Sequence, residues 1–152
     1  MQLMQILQQA CVKVPLQGKT KTAVISELID LLAANGLISD KRLASEAVFN
    51  REKTRSTGIG SGIAIPHGKC KAVKELVMAV GLTADPVDFD SVDDKPVKVV
   101  MLLVSPLDQT GPHIQALARI SRLMLDEPFK QAFEQASTAE QAYDLLRHKE
   151  SE

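Results

Sequence analysis

The chain has 152 residues, enough for one domain with a sizeable core, and its 45% hydrophobic and 24% charged residues are typical of a globular protein. Its 18 basic and 19 acidic side chains leave a formal net charge of −1, which gives no electrostatic support for binding nucleic acid or an anionic membrane. The two cysteines do not make a disulfide framework, and no apolar run is long enough for a membrane span or a signal peptide, so we expect one cytoplasmic domain over residues 1–152.

The first part of the chain predicts a strand followed by two helices. The strand is expected at about residues 10–16, after a short helical turn. Apolar residues then recur at helical spacing over 20–35, and a second helix is expected from after Ser39 to about Thr54.

The inward stripe of this second helix ends in a charged residue. Ala44, Ala47 and Val48 lie on the stripe, and Arg51 is the next position along it. A guanidinium on an apolar stripe is either a snorkelling side chain at a helix end or a group aimed at an anion. The pattern alone leaves both interpretations open.

The second half of the chain predicts further strands. Residues 76–83 are apolar and β-prone, and residues 97–104 form a nearly continuous run of β-branched residues and leucine, the pattern of a buried central strand. A short strand is also expected near 87–89, and a solvated basic loop over 69–74.

Three helices are expected at the end of the chain. One begins with Pro112 at its first position, one begins after Asp126, and one follows a capping box over 137–140. His113 falls in the first turn of the first of these helices, on the same stripe as Leu117. The positive end of the helix dipole disfavours protonation there and favours an anion, so His113 is either a packed, neutral side chain or a ligand of an anion.

This order of elements predicts one α/β domain with a mixed sheet of about four to five strands flanked by helices. The long helical excursions permit parallel pairing of strands. The neighbouring strands at 76–83 and 97–104 permit antiparallel pairing.

A glycine-rich stretch separates the two halves and ends in a single imidazole: Thr57-Gly58-Ile59-Gly60-Ser61-Gly62-Ile63-Ala64-Ile65-Pro66-His67-Gly68. Residues 63–65 predict a strand, and Pro66 indicates that this strand ends there or lies at a sheet edge. Backbone with few side chains around His67 suits a nucleophile, although a histidine at a strand end is more often structural.

The same stretch does not fit a nucleotide or metal site. Ile63 stands where both the ATP-binding and the dinucleotide-binding glycine patterns require a glycine. His67 and Cys70 lack a second pair of ligands. We therefore expect neither a metal nor a cofactor.

The stretch resembles the active-site signature of enzyme IIA domains of the bacterial phosphotransferase system, in the fructose, mannitol and nitrogen-regulatory class. The similarity begins at Arg51-Glu52, includes Ser56 to Lys69, and continues through residues 86–90 and 108–117. It covers essentially the whole chain, and its signature is long.

The resemblance implies a mixed sheet between helices and a role as a phosphotransferase component that relays a phosphoryl group. The phosphocarrier protein HPr, or its nitrogen-branch relative, passes the group to the histidine matched by His67. The residues matched by Arg51 and His113 lie beside that histidine. The group then passes to a cysteine of an enzyme IIB, or the phosphorylation state regulates other proteins by contact.

Further residues of the signature are expected to support the phosphate. Thr57 and Ser61 can supply hydroxyl groups, and Gly60 and Gly62 let the backbone of a partner come close.

Two roles within this class remain open at this point. The Ser56–Gly60 stretch and the lack of fused IIB or IIC segments favour the nitrogen-regulatory type. The alternative is a fructose- or mannitol-type enzyme IIA that serves carbohydrate uptake through a IIB cysteine. A third reading, a domain that keeps the fold without phosphotransfer, is disfavoured by the intact set of Arg51, His67 and His113.

Overall fold

A mixed sheet of six strands runs through the computed structural model, which describes residues 1–152. The strands, in chain order, are β1 (Val12–Leu16), β2 (Gly58–Gly60), β3 (Ile63–Ala64), β4 (His67–Lys69), β5 (Val77–Val87) and β6 (Val97–Ser105). The α-helices are α1 (Lys21–Ala34), α2 (Lys41–Thr54), α3 (Thr110–Leu123), α4 (Glu127–Glu134) and α5 (Ala139–Glu150). Two short 3₁₀ turns, Leu3–Gln5 and Gln9–Cys11, precede β1. The predicted α/β class with a mixed sheet is confirmed.

The two longest strands, β5 and β6, form the centre of the sheet as an antiparallel pair. β1 lies parallel to β5 on one side. On the other side, β3 lies parallel to β6, and β2 pairs with β3 in the antiparallel sense. β4 continues the path of β3 along β6, also in the parallel sense.

Helices cover the sheet because its strands are apolar along nearly their whole length. Every residue of β6 except Lys98 is buried, as the run of β-branched residues predicts. α1 packs on β5, α2 on β4 and α5 on β1. One connected cluster of 40 buried hydrophobic residues results, and it extends from Leu3 to Leu146. None of the helices combines the length and the apolar character that a membrane span requires.

The sheet has six strands rather than four to five because β2 and β4 form in addition to the expected strands. β3 ends at Ala64, just before Pro66, as one of the two interpretations of Pro66 predicts. β3 has a partner on each side, so it does not lie at an edge. Pro66 cannot donate, but its carbonyl accepts a hydrogen bond from Leu103 N at 3.0 Å. Pairing with β6 then resumes at once, with His67 opposite Leu103.

Two expectations for the loops are wrong. No separate strand forms near 87–89, because β5 itself continues to Val87. The segment 69–74 is not a solvated loop throughout, since Cys70, Ala72 and Val73 are buried against the core.

The helix bounds agree closely with prediction, and the caps differ in detail. α3 begins at Thr110, so Pro112 is its third residue and not its first. α5 is capped by Thr138, whose side chain accepts a hydrogen bond from Gln141 N, so the cap lies one residue later than expected.

Candidate active site

Three predicted site residues lie close together although they belong to three different elements: two of them line one cleft, and the third packs against His67. His67 is the first residue of β4, Arg51 lies in the last turn of α2, and His113 lies near the start of α3. The rings of His67 and His113 meet edge to face, with 5.2 Å between their centroids. Arg51 and His67 line a cleft of about 370 Å³.

A glycine allows the close approach between α2 and β4 that brings Arg51 near His67. A Cβ atom on Gly68 would lie 2.9 Å from backbone atoms of Ala47 and Val48, closer than real contacts permit. β4 therefore packs directly on the backbone of α2, and Arg51 lies one helical turn beyond Ala47.

His67 is half-buried, and its hydrogen bond defines which ring nitrogen is free. Nδ1 lies 2.8 Å from the carbonyl oxygen of Ile65. A carbonyl oxygen can only accept, so Nδ1 carries the proton and Nε2 of the neutral ring keeps its lone pair. Burial lowers the pKa of His67, and this effect outweighs the opposing hydrogen bond to Ile65 and the charge of Glu52, while the positive charges of Arg51 and Lys69 add to the lowering. The imidazole is therefore neutral at pH 7 and has the form that a nucleophile requires.

His113 is buried, with 3% of its surface exposed. Its Nδ1 lies 2.7 Å from the hydroxyl oxygen of Ser105, a side chain that the sequence analysis did not single out. Burial, followed by the neighbouring His67 and Lys69, lowers the pKa of His113 to about 4. The second imidazole of the site is therefore also neutral at pH 7.

Arg51 is half-buried and forms no ion pair with a carboxylate. Its Nη1 donates to the carbonyl oxygen of Arg55 at 2.8 Å, which orients the guanidinium. The remaining donors of the planar group are free for an anion in the cleft.

Glu52 is a buried residue beside the site, and the sequence alone assigns it no role although it lies in the signature. Its carboxylate accepts hydrogen bonds from the backbone N and the hydroxyl of Thr57, and it forms an ion pair of 2.7 Å with Lys21. A signal was present, because Glu52 follows Ala44 and Val48 at intervals of four on the buried stripe. The inward position after Val48 is thus Glu52, and Arg51 lies at the border of the stripe.

The predicted phosphate-supporting residues lie at two different places. Thr57 lines the cleft, but its hydroxyl is engaged by Glu52. Gly60, Ser61 and Gly62 form the turn between β2 and β3, with φ angles of 98°, 58° and 82°.

This turn is held by contacts outside the cleft. Ser61 N donates to Asp93 at 2.9 Å, and Lys130 donates to the carbonyl oxygen of Ser61 at 3.0 Å. None of Gly60, Ser61 and Gly62 lines the cleft that contains His67. Their contact with a phosphoryl group stays a prediction.

No group of three or more His, Cys, Asp or Glu side chains is arranged to hold a metal ion. The imidazole of His67 and the guanidinium of Arg51 line the cleft, and the imidazole of His113 packs against that of His67. A neutral Nε2 beside an unpaired guanidinium is suited to accepting a phosphoryl group, because such transfer depends on positioning and on stabilising the charge of the oxygens.

Comparison with known proteins identifies the family to which the chain belongs. Residues 5–149 match the family model "Phosphoenolpyruvate-dependent sugar phosphotransferase system, EIIA 2". The chain is 34% identical over 149 residues to a nitrogen regulatory protein of Klebsiella oxytoca, covering 96% of this chain and 90% of that protein. It is 32% identical over 146 residues to the fructose-specific EIIABC component of Bacillus subtilis, but it spans only 23% of the length of that protein.

Solved structures show the same fold. The nitrogen regulatory protein IIA-Ntr of Neisseria meningitidis superimposes with a TM-score of 0.81 and 30% identity, over 93% of this chain and 97% of that one. The enzyme IIA mannitol of Escherichia coli superimposes with a TM-score of 0.78 and 20% identity, over 91% and 97% of the two chains. The chain therefore belongs to the type-2 enzyme IIA family of the phosphoenolpyruvate-dependent sugar phosphotransferase system, whose members are phosphoryl-carrying components.

Proposed function

We propose that His67 accepts a phosphoryl group at Nε2 from an HPr-type phosphocarrier protein in the cytoplasm, and that residues 1–152 act as one domain in this relay. The observation that carries the proposal is the hydrogen bond from His67 Nδ1 to the Ile65 carbonyl oxygen. It leaves Nε2 as the nucleophilic atom of a neutral imidazole.

The step itself is a balanced exchange of one bond. The bond between phosphorus and the donor's imidazole nitrogen breaks, and a bond between phosphorus and Nε2 of His67 forms. The proton on Nδ1 stays in its hydrogen bond to Ile65, so the acceptor needs no separate base. Arg51 binds the phosphoryl oxygens through its free guanidinium donors, and His113, whose ring lies against that of His67, donates a further hydrogen bond.

We propose further that the phosphorylation state of His67 controls contacts with regulatory targets. Support comes from the identity of 30% with the nitrogen regulatory protein of known structure, against 20% with the mannitol enzyme IIA. The second candidate is transfer to the cysteine of an enzyme IIB during sugar uptake. It is favoured by the similarity to a fructose-specific component and by a fold shared, at a TM-score of 0.79 and 19% identity, with an enzyme IIA mannitol solved in complex with phosphorylated enzyme IIB.

The relay is tested by incubating the protein with phosphoenolpyruvate, enzyme I and HPr, followed by intact mass measurement. The wild type should gain one acid-labile phosphoryl group, and His67→Ala should gain none. The chain offers a matched control in His148, which is exposed on α5, and His148→Ala should gain the group normally. A full gain by His67→Ala would overturn the proposal.

The acceptor is tested with the phosphorylated protein. Loss of the phosphoryl group to a cysteine of a IIB protein would support the sugar-uptake role. Partners that bind the phosphorylated and unphosphorylated forms differently, without any transfer to IIB, would support the regulatory role.

A further inference from the structure

We propose that Ser105 is a positioning residue for phosphoryl transfer: its hydroxyl donates to Nδ1 of His113, which keeps the proton of His113 on Nε2, the atom that faces the phosphoryl group. The inference rests on the proposed function of His67. It assigns to Ser105 a role that the signature around His67 does not indicate.

The sheet places Ser105 on the same side as His67. In the parallel pair of β4 and β6, His67 lies opposite Leu103, and Ser105 is two residues further along β6. Side chains two residues apart on a strand point to the same face. α3 brings His113 over this face, where Nδ1 lies 2.7 Å from Ser105 Oγ.

The direction of this hydrogen bond follows from what else the hydroxyl can reach. Ser105 is fully buried, and its Oγ has no other hydrogen-bond partner. If Nδ1 of His113 were the donor, the hydroxyl hydrogen of Ser105 would be buried without an acceptor. If Ser105 donates, only lone pairs remain unpaired. Unpaired donors are the rarer and costlier case, so Ser105 is the donor and His113 Nδ1 the acceptor.

A neutral imidazole that accepts at Nδ1 must carry its proton on Nε2. This Nε2–H has no partner within the protein. Ser91 Oγ is the one polar side-chain atom that is both fully buried and without a hydrogen-bond partner. His113 Nε2 also has no partner, so it is not fully buried and keeps contact with solvent. The ring of His113 meets that of His67 with 5.2 Å between centroids, so we infer that this Nε2–H is available to a group bound at His67.

The two imidazoles thus have opposite tautomers with complementary roles. His67 is protonated on Nδ1 and presents a lone pair at Nε2 to phosphorus. His113 is protonated on Nε2 and presents a donor to the phosphoryl oxygens. Loss of the Ser105 hydroxyl would free His113 to adopt the other tautomer, whose lone pair would face the oxygens and repel them.

The test is a cycle of four proteins: the wild type, Ser105→Ala, His113→Ala and the double variant. The rate of phosphoryl transfer from purified phosphorylated HPr is measured for each by rapid quench. Ser105→Ala should slow transfer about fivefold to tenfold, the effect of one misplaced hydrogen bond. In the His113→Ala background the same change should have no effect, since Ser105 acts through His113. An equal loss in both backgrounds would overturn the proposal.

The tautomer is read separately from ¹⁵N chemical shifts of the histidine rings. In the wild type, His113 should be protonated on Nε2, and Ser105→Ala should give a mixture of the two tautomers. A wild-type His113 protonated on Nδ1 would overturn the proposal whatever the transfer rates are. Ser91→Ala, which removes a buried serine hydroxyl that has no partner, is the matched control and should change neither readout. If His67 is not phosphorylated at all, the proposed function fails while the tautomer measurement still stands.

Discussion

The carboxylate of Glu52 accepts hydrogen bonds from both the backbone N and the hydroxyl of Thr57, and it pairs with Lys21 at 2.7 Å. These contacts join the last turn of α2 to the residue just before β2. The segment between them includes Arg55, whose carbonyl oxygen orients Arg51. Glu52 therefore holds the backbone on which the position of the Arg51 guanidinium depends.

We expect Glu52→Gln to lower the free energy of unfolding by about 3 kcal/mol, because it leaves the partly buried Lys21 without its counter-charge. Urea unfolding followed by circular dichroism measures this. The matched control is Glu46→Gln on the same helix, whose ion pair with Arg42 is exposed and should contribute less than about 0.5 kcal/mol. Equal effects of the two changes would contradict the role of Glu52.

The planar guanidinium of Arg51 should matter more than its charge. Arg51→Lys keeps the charge but loses the fork of donors that fits phosphoryl oxygens, so we expect transfer to His67 to slow by about 10- to 100-fold. Single-turnover transfer from phosphorylated HPr measures the rate. Arg42→Lys, an exposed change on the same helix, should leave it unchanged. Wild-type rates for Arg51→Lys would show that the fork is not used.

Transfer should persist at acidic pH because burial lowers the pKa of His67. Its imidazole stays neutral, and Nε2 stays nucleophilic, below the ordinary histidine pKa of about 6.5. NMR titration of the His67 ring protons measures this directly. The reference is the ordinary histidine pKa of about 6.5, and the titration midpoint of His67 should lie below it. A midpoint of His67 at or above this ordinary value would refute the expectation.

Stability should depend on pH through His113. Its pKa falls from 6.5 to about 4 in the folded state, so between these values the unfolded chain binds more protons than the folded one. The contribution of a neutral, buried His113 is therefore complete above about pH 6.5 and is lost progressively as the pH falls towards 4. The loss should be on the order of 3 kcal/mol.

Urea unfolding at several pH values between 4 and 7 measures this loss. His113→Gln removes the titrating group and should flatten the dependence in that window. An unchanged slope in His113→Gln would assign the dependence to other groups.

A side chain at Gly58 should clash with the side chain of Ser91, and removing the Ser91 side chain should relieve the clash. A Cβ atom there would lie 2.2 Å from the hydroxyl oxygen of Ser91 and 3.0 Å from its Cβ. We expect Gly58→Ala to destabilise the protein by about 1–3 kcal/mol and Ser91→Gly to recover part of the loss when combined with it. Thermal unfolding of the single and double variants measures the recovery. A double variant whose loss is the sum of the single losses would exclude the clash.

The sequence predicts the long elements well because each has its own hydrophobic period or its own continuous run of apolar residues. β6 and α1 are examples, and the structure confirms both. β2, β3 and β4 have only two or three residues each, too few for a period, and their pairing depends on distant β6 or on each other.

The site was predictable only in part for a similar reason. The signature around His67 predicts Arg51 and His113 through the family it resembles, and the fold brings all three together. Ser105 carries no signal of this kind, since a serine at a strand end is common on any surface. Glu52 lies within the signature and on the buried stripe of α2, but neither pattern identifies its partners. Ser105 is buried beside His113, 8 residues away, and Glu52 beside Thr57, 5 residues away. Only the tertiary structure shows these contacts.

The central claim is that the phosphoryl group resides on Nε2 of His67 while Nδ1 keeps its proton on the Ile65 carbonyl oxygen. Long-range ¹H–¹⁵N NMR of the phosphorylated protein, with ¹⁵N in its histidines, tests this most directly. We expect a shift typical of a phosphorylated nitrogen at Nε2 of His67 and a protonated Nδ1 in the same ring. A phosphorylated Nδ1, or a phosphoryl group on His113, would contradict the account.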